Sequence, residues 1–255
     1  MRWSIPLVAL VLTAQLACGY PADATAEAAL ISDAQVEVRV APRGLTAFIP
    51  TDALTSTALV FYPGGLVDEL AYAPLLRRLA EAGVPSVLVA KPANLSVLAP
   101  RKGDRALDAF PDLGPWIAAG HSLGGAMAAT WADQRRDELA GLVLLAAYPA
   151  AGRDLSDAPF PVLSITASED EVLDADKFED RRALLPANTT FVDIEGGNHA
   201  GFGSYGEQRG DGEAAITAEA QWDAVVDTVV AWLHDHQDAA GDPDTQQAAR
   251  YATLP

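Results

Sequence analysis

The chain has 255 residues, half of them hydrophobic, and carries 17 Lys and Arg against 35 Asp and Glu, a formal net charge of −18. This length and apolar content suffice for the core of one α/β domain, so a second domain is not required. The acidic balance argues against nucleic acid as a partner, because phosphate binding needs a basic face. We interpret the excess of carboxylates as a solubilising surface.

Residues 1–24 are predicted to be an export signal with a short linker. Arg2 precedes an apolar run over residues 5–12, and small residues follow it, in the order typical of such signals. The run is too short for a comfortable membrane span. Two processing sites are compatible with this segment. Leu16-Ala17-Cys18 resembles the end of a bacterial lipoprotein signal, although Gln15 stands where that pattern usually has an aliphatic residue. Ala22-Asp23-Ala24 instead suits ordinary signal-peptide cleavage.

Cys18 is the only cysteine, so no intramolecular disulfide can form. A single cysteine directly behind an export signal fits lipidation better than redox chemistry. We therefore expect a membrane-anchored lipoprotein of the bacterial cell envelope, or a secreted or periplasmic protein if cleavage follows Ala24.

The next segments predict strands. Alternating residues 36–40, a turn at residues 42–44 and the apolar residues 45–49 indicate a hairpin. Short, almost continuous apolar runs follow, as parallel strands covered on both faces require. These runs are residues 57–62, 86–90, 116–119, 142–146, 162–166 and 190–194.

Helices are predicted between these strands, over residues 74–83, 122–135 and 175–185. A last helix carries one buried face, with Trp222, Val225, Val226, Val229 and Leu233 at helical spacing. The alternation predicts a doubly wound, mostly parallel sheet of about eight strands with helices on both faces. We assign residues 25–237 to this domain and residues 238–255, rich in Asp, Gly, Pro, Gln and Thr, to a disordered tail.

The segment Gly120-His121-Ser122-Leu123-Gly124-Gly125 separates an apolar run from a small-residue helical segment. Strand, tight turn and helix in this order are the setting of a nucleophile elbow. Such a turn strains the serine, and side chains two residues to either side would collide, which explains Gly120 and Gly124. Ser122 is therefore the candidate nucleophile, and the alternative is a plain helix start capped by Ser122.

A serine hydroxyl needs a base, which a carboxylate usually orients. The sequence has four histidines. His121 should point away from the serine, and His234 and His236 are expected to be exposed in the last turn of the final helix. His199 follows the strand at residues 190–194 through a flexible turn, so we predict that it reaches over the strand ends as the base.

The carboxylate is predicted just after the strand at residues 162–166. Asp170 lies where it can accept a hydrogen bond from the imidazole, while its neighbours Glu169 and Glu171 remain alternatives. We interpret the following acids as a solvated helix face. The chain order Ser122, Asp170, His199 is the order of the α/β-hydrolase fold.

With these residues placed, the chain resembles an α/β-hydrolase, of the compact branch that includes dienelactone-hydrolase-like and small esterase-like members. The resemblance spans about residues 34–236 and rests on four pieces, which are residues 61–66, 120–125, 168–170 and 196–199. It implies Ser122 as nucleophile, His199 as general base and then acid, and Asp170 as the orienting carboxylate. Only residues 149–161 are available for a cap, so we expect an open site without a large cap domain.

The same resemblance implies an oxyanion hole made of backbone N–H groups. One is that of Leu123, and the other comes from the loop after an early strand, from either Gly65 or Leu66. This loop has Pro63 where the common pattern has histidine. We expect the loops at residues 91–112 and 200–205 to shape the site. Phe202 and Tyr205 are candidate pocket residues, and the alternative is that they only anchor the loop.

These features predict a serine hydrolase of small-molecule carboxylic esters that needs no cofactor or metal. The pattern His234-Asp235-His236 is too weak to define a metal site. An acyltransferase with the same three residues is an alternative. A non-catalytic binding protein on the same fold is another, because a fold does not determine a function.

Overall fold

The computed structural model describes residues 19–90 and 102–240. The predictions for Cys18 and the rest of residues 1–18, for residues 91–101 and for residues 241–255 lie outside these ranges.

A mostly parallel sheet of eight strands, in the order β1-β2-β4-β3-β5-β6-β7-β8, lies at the centre of the fold. β1 and β2 form an antiparallel hairpin that pairs antiparallel with β4, and all other neighbours are parallel. The predicted fold class is thus confirmed. The strands are β1 (Val36–Ala41), β2 (Leu45–Pro50), β3 (Ala58–Tyr62), β4 (Ser86–Val89), β5 (Trp116–His121), β6 (Leu139–Leu145), β7 (Val162–Ala167) and β8 (Thr190–Ile194).

Helices cover both faces of this sheet. They are α1 (Ala24–Ala29), α2 (Ala73–Glu81), α3 (Lys102–Ala109), α4 (Leu123–Gln134), α5 (Ala175–Arg182) and α6 (Ala218–Ala240), with 3₁₀ turns at Glu69–Tyr72 and Ala200–Phe202. α1 and α3 are not predicted from the sequence, and α5 ends at Arg182 rather than at residue 185. α1, α2 and α6 contribute to the core on one face, and α3 and α4 to the core on the other.

The central strands supply both cores because successive side chains of a strand point to opposite faces. In β3, Leu59 and Phe61 pack with α2 and α6, whereas Val60 and Tyr62 pack with α3 and α4. All residues of β3 are buried, which explains why this strand is a continuous apolar run in the sequence.

The last helix, α6, packs its predicted apolar face on the sheet. Its five predicted core side chains are buried, and each contributes roughly 1.5–3 kcal/mol relative to exposure. Gln221 of the same helix is 1% exposed, and its side chain bonds the backbone of Asn198 in the loop after β8. The helix therefore fixes a loop at the carboxyl edge of the sheet.

The segment between β6 and β7 contains no helix or strand, so no large cap covers the sheet there, as expected. Within residues 19–90 and 102–240, no helix is long and apolar enough to cross a membrane.

Candidate active site

Three predicted site residues follow parallel strands in one half of the sheet. Ser122 follows β5, Asp170 follows β7 and His199 follows β8. The carboxyl ends of parallel strands meet at one edge of a sheet, which is where ligands bind in open α/β folds. The topology therefore brings the three residues to the same edge.

Ser122 has φ 53° and ψ −124°, a conformation that costs a residue with a side chain about 1–3 kcal/mol. Its N–H donates to the Leu145 carbonyl at 2.9 Å, which ties the turn to β6. A Cβ at Gly120 would lie 2.7 Å from the Gly124 carbonyl, and one at Gly124 would collide with the Tyr62 carbonyl. Both glycines are thus required by close approach of backbone, as the sequence predicts.

His199 and Asp170 form a buried pair. The His199 Nδ1 lies 2.8 Å from the Asp170 Oδ2, and each side chain is 2% exposed. The other oxygen of Asp170 accepts the N–H groups of Val172 and Leu173 at 2.9 and 2.8 Å. These bonds hold the carboxylate in one orientation and direct its free oxygen at the imidazole.

The two alternative acids are placed elsewhere. The Glu169 carboxylate accepts the Ser168 hydroxyl at 3.0 Å, and Glu171 is exposed. Asp170 is therefore the acid of this segment that meets the imidazole.

The loop that carries His199 is held by residues that the sequence analysis did not single out. The Asp211 carboxylate accepts the N–H groups of His199 and Ala200, at 3.2 and 2.7 Å. Gln221 bonds both the N–H and the carbonyl of Asn198, at 3.1 and 2.8 Å. A single aspartate in a chain of 35 acidic residues offers no sequence signal for such a role.

Ser122 and His199 line one pocket of about 220 Å³. Its remaining walls are small or apolar residues, with one tyrosine and one carboxylate, namely Leu123, Ala126, Ala146, Ala147, Tyr148, Val172, Leu173 and Asp174. Tyr148 follows β6 and Leu173 follows β7, so both stand at the edge of the sheet where the sequence predicts a site.

The predicted pocket residues Phe202 and Tyr205 do not line this pocket. Both are buried, at 0% and 6% exposure. The Phe202 ring packs 5.3 Å from the His121 ring, and the Tyr205 ring packs 5.6 Å from that of Tyr20. They anchor the loop after β8 from below, which corrects the expectation that they contact a substrate.

The loop after β3 approaches the elbow through Gly65. A Cβ at Gly65 would lie 2.9 Å from the Leu123 Cδ2. Leu66 points outward, with 53% of its side chain exposed. Gly64 donates its N–H to the Tyr72 hydroxyl at 3.0 Å. Of the two candidate donors, Gly65 is thus the one that packs against the elbow residue Leu123.

His121 packs against the His199 ring. It is 1% exposed, its Nδ1 is 2.8 Å from the Tyr72 hydroxyl, and its ring centroid is 4.4 Å from that of His199. The sequence predicts only that His121 points away from Ser122. Its contacts with Tyr72 and His199 were not predicted, because both partners lie far from it along the chain.

Residues 19–23, here called the N-terminal strap, connect the two loops. The Tyr20 N–H donates to the Leu66 carbonyl at 2.7 Å, and the Asp23 N–H donates to the Ser204 carbonyl at 2.9 Å. The Ser204 hydroxyl also bonds the Asp23 carboxylate, and the Arg209 N–H donates to the Tyr20 hydroxyl at 3.2 Å. The strap thus contacts both the loop after β3 and the loop that carries His199.

The final histidines behave as surface residues of α6. His234 is exposed, and the His236 Nδ1 lies 2.7 Å from the Trp232 carbonyl of the same helix. Among the residues that the structure describes, no three His, Cys, Asp or Glu side chains are placed to hold a metal ion.

The sheet order, the strained serine after β5 and the buried histidine–aspartate pair define an α/β hydrolase. The model of the alpha/beta hydrolase family matches residues 58–223, more than half of the chain. The chain belongs to this family, as the sequence motifs predict.

Solved structures have the same fold. Dienelactone hydrolase from Anabaena variabilis superposes with a TM-score of 0.54 at 16% identity, over 76% of this chain and 96% of its own. Est1E from Butyrivibrio proteoclasticus superposes with a TM-score of 0.54 at 15% identity, over 79% of this chain and 100% of its own. A predicted CIB-like hydrolase from Thermoplasma acidophilum superposes with a TM-score of 0.56 at 14% identity, over 76% of this chain and 97% of its own. These similarities show the fold alone, and no curated protein sequence matches the chain.

Proposed function

We propose that the chain is a serine hydrolase of small carboxylic esters. Membership of the alpha/beta hydrolase family supports a hydrolase. The observation that carries the finer proposal is the buried pair of His199 and Asp170 at 2.8 Å, with His199 opening into the same pocket as Ser122. Nucleophile, base and orienting acid are the parts that acyl transfer through serine requires.

In this mechanism the His199 Nδ1–H donates to Asp170, which leaves Nε2 free to take the proton of Ser122. The Ser122 oxygen attacks the ester carbonyl, and the resulting oxyanion accepts the N–H groups of Leu123 and Gly65. Collapse of this intermediate breaks the bond to the alcohol, which leaves with the proton from Nε2. Water then attacks the acyl-enzyme by the same steps and releases the acid.

The pocket supports a small substrate. It encloses about 220 Å³ between Ser122, His199 and the side chains around them. The walls near Ser122 are mostly apolar, and Asp174 is already paired with Lys177. A short, uncharged acyl or alcohol group matches these walls.

We expect the purified protein to react with a fluorophosphonate probe at one serine and to hydrolyse p-nitrophenyl acetate and butyrate. Labelling followed by peptide mass spectrometry locates the modified residue, which should be Ser122. The heat-unfolded protein serves as the control, because the elbow exists only in the folded chain. A folded protein that neither reacts with the probe nor turns over either ester would contradict the proposed function.

We also propose that the protein is exported and carries a lipid on Cys18. The N-terminal strap supports this processing site over cleavage after Ala24, because the latter would remove Tyr20 and Asp23 and their bonds to both loops. Intact mass measurement of the mature protein should find an acylated N-terminus at Cys18. A Cys18→Ser variant should lose the lipid mass. An unacylated mature chain that begins at Thr25 would overturn the proposal.

A further inference from the structure

Two buried side chains beside the site have no part in the mechanism above. Tyr72 ends the 3₁₀ turn that follows the loop after β3, and His121 ends β5. They are 0% and 1% exposed, and the Tyr72 hydroxyl lies 2.8 Å from the His121 Nδ1. Burial of two polar side chains against each other costs solvation, so their placement needs an explanation.

One end of this pair holds the loop after β3. The Gly64 N–H donates to the Tyr72 oxygen at 3.0 Å. The fit leaves no room for a side chain, since a Cβ at Gly64 would lie 2.5 Å from the Tyr72 oxygen and 3.0 Å from the His121 Nδ1. Gly64 directly precedes Gly65, so the bond to Tyr72 sets the position of the proposed oxyanion donor.

The other end of the pair supports the base. The His121 ring centroid is 4.4 Å from that of His199, with an interplanar angle of 50°. The Ser204 N–H donates to the carbonyl of Ala71, next to Tyr72, at 2.7 Å, which links the turn to the loop that carries His199. A shift of His121 or Tyr72 would therefore move both the loop after β3, which carries Gly65, and the His199 imidazole.

We propose that Tyr72 and His121 are positioning residues that align the Gly65 N–H and the His199 imidazole with Ser122, with Tyr72 holding His121 as the neutral tautomer protonated on Nε2. This inference rests on the proposed serine hydrolase function. Neither residue lines the pocket that Ser122 and His199 share, so their contribution is geometric, and a misplacement of about 1 Å can cost about 100-fold in rate.

The proposed tautomer of His121 sets the direction of its hydrogen bond with Tyr72. The Tyr72 oxygen accepts the Gly64 N–H, and in the proposed arrangement its own hydrogen is donated to the His121 Nδ1, which is then the acceptor. Burial raises the pKa of Tyr72, so the phenol keeps this hydrogen. An uncharged His121 does not oppose the positive charge that His199 acquires when it takes the serine proton.

Tyr62 provides a matched control for Tyr72. It is also a buried tyrosine, 1% exposed, and its oxygen likewise accepts one backbone N–H, that of Gly103 at 2.8 Å. Its side chain packs on the opposite face of the sheet, with α3 and α4. The variants Tyr72→Phe and Tyr62→Phe thus each remove one buried hydroxyl that accepts a backbone N–H, and Tyr72→Phe also removes the partner of the His121 Nδ1.

We expect Tyr72→Phe to lower kcat for p-nitrophenyl acetate by about ten- to 100-fold, with KM changed less than about twofold, and to slow fluorophosphonate labelling by a similar factor. Tyr62→Phe should lower the melting temperature comparably but leave kcat within about twofold. In His121→Asn the amide oxygen can replace Nδ1 as acceptor, so this variant should keep more activity than His121→Leu.

Equal kcat in the two Tyr→Phe variants of an active wild type overturns the positioning role, as does a His121→Asn variant no more active than His121→Leu. A loss that appears in KM instead of kcat also overturns it. Failure of the proposed function is visible separately, because the wild type itself would then neither bind the probe covalently nor cleave the ester.

Discussion

Ser122→Ala is expected to lower kcat for short esters by about 10⁴–10⁶-fold, because removal of the nucleophile leaves only the oxyanion donors and substrate binding. The melting temperature should stay close to that of the wild type, since alanine keeps the Cβ and adopts the same strained backbone. Steady-state kinetics and thermal unfolding on the same preparation separate the two effects. A variant that retains wild-type turnover would show that another residue is the nucleophile.

Ser122→Gly is the matched variant. It should be equally inactive, but more stable than Ser122→Ala by about 1 kcal/mol, because glycine adopts a positive φ without the steric cost. The difference in the free energy of unfolding is smaller than the full strain energy of the backbone at residue 122, since glycine also increases the entropy of the unfolded chain. Denaturant unfolding of the two variants measures the difference. If the glycine variant were the less stable one, the φ of 53° at Ser122 would not be a strained conformation.

The second large effect is expected for Asp170→Asn, which should reduce kcat by about 10⁴-fold. An amide can present its NH₂ group to the His199 Nδ1, so the imidazole carries its proton on Nε2 and cannot act as a base. The remaining amide oxygen can still accept from Val172 and Leu173, so the fold should persist. Circular dichroism and the melting curve test whether the Asp170→Asn variant is folded.

Glu171→Gln controls for the loss of one negative charge in the same segment. Glu171 is exposed and should be neutral toward kcat and KM. Should Glu171→Gln reduce kcat as much as Asp170→Asn does, the orienting acid would be assigned to the wrong residue.

Much of the fold is predictable from the sequence because the central strands are buried on both faces. β3 and β5 have no solvent-facing side chain, so each appears as an uninterrupted apolar run. The helix α6 is recognisable because only one of its faces packs on the sheet. By contrast, α1 and α3 are short and bury only two residues each, so they lack the apolar period that identifies a helix.

The placement of the candidate site residues was predictable where backbone geometry dictates the residue type. The elbow admits glycine at only certain positions, and Asp170 and His199 follow strands whose ends are determined by the sheet. Side-chain directions inside loops are not encoded in this way. Phe202 and Tyr205 were expected in the pocket, but the turn after His199 directs them into the core, and the contact of His121 with Tyr72 joins residues 49 positions apart.

The N-terminal strap has a further consequence for a protein anchored through Cys18. Tyr20, which bonds the loop after β3, lies two positions after Cys18, and two residues of extended chain span at most about 7 Å. A lipid there would hold the catalytic edge of the sheet against the headgroup layer at a restricted orientation, with no long tether. Esters partitioned into the bilayer would then reach Ser122 by lateral diffusion, and their concentration per membrane area, rather than per volume, would set the rate.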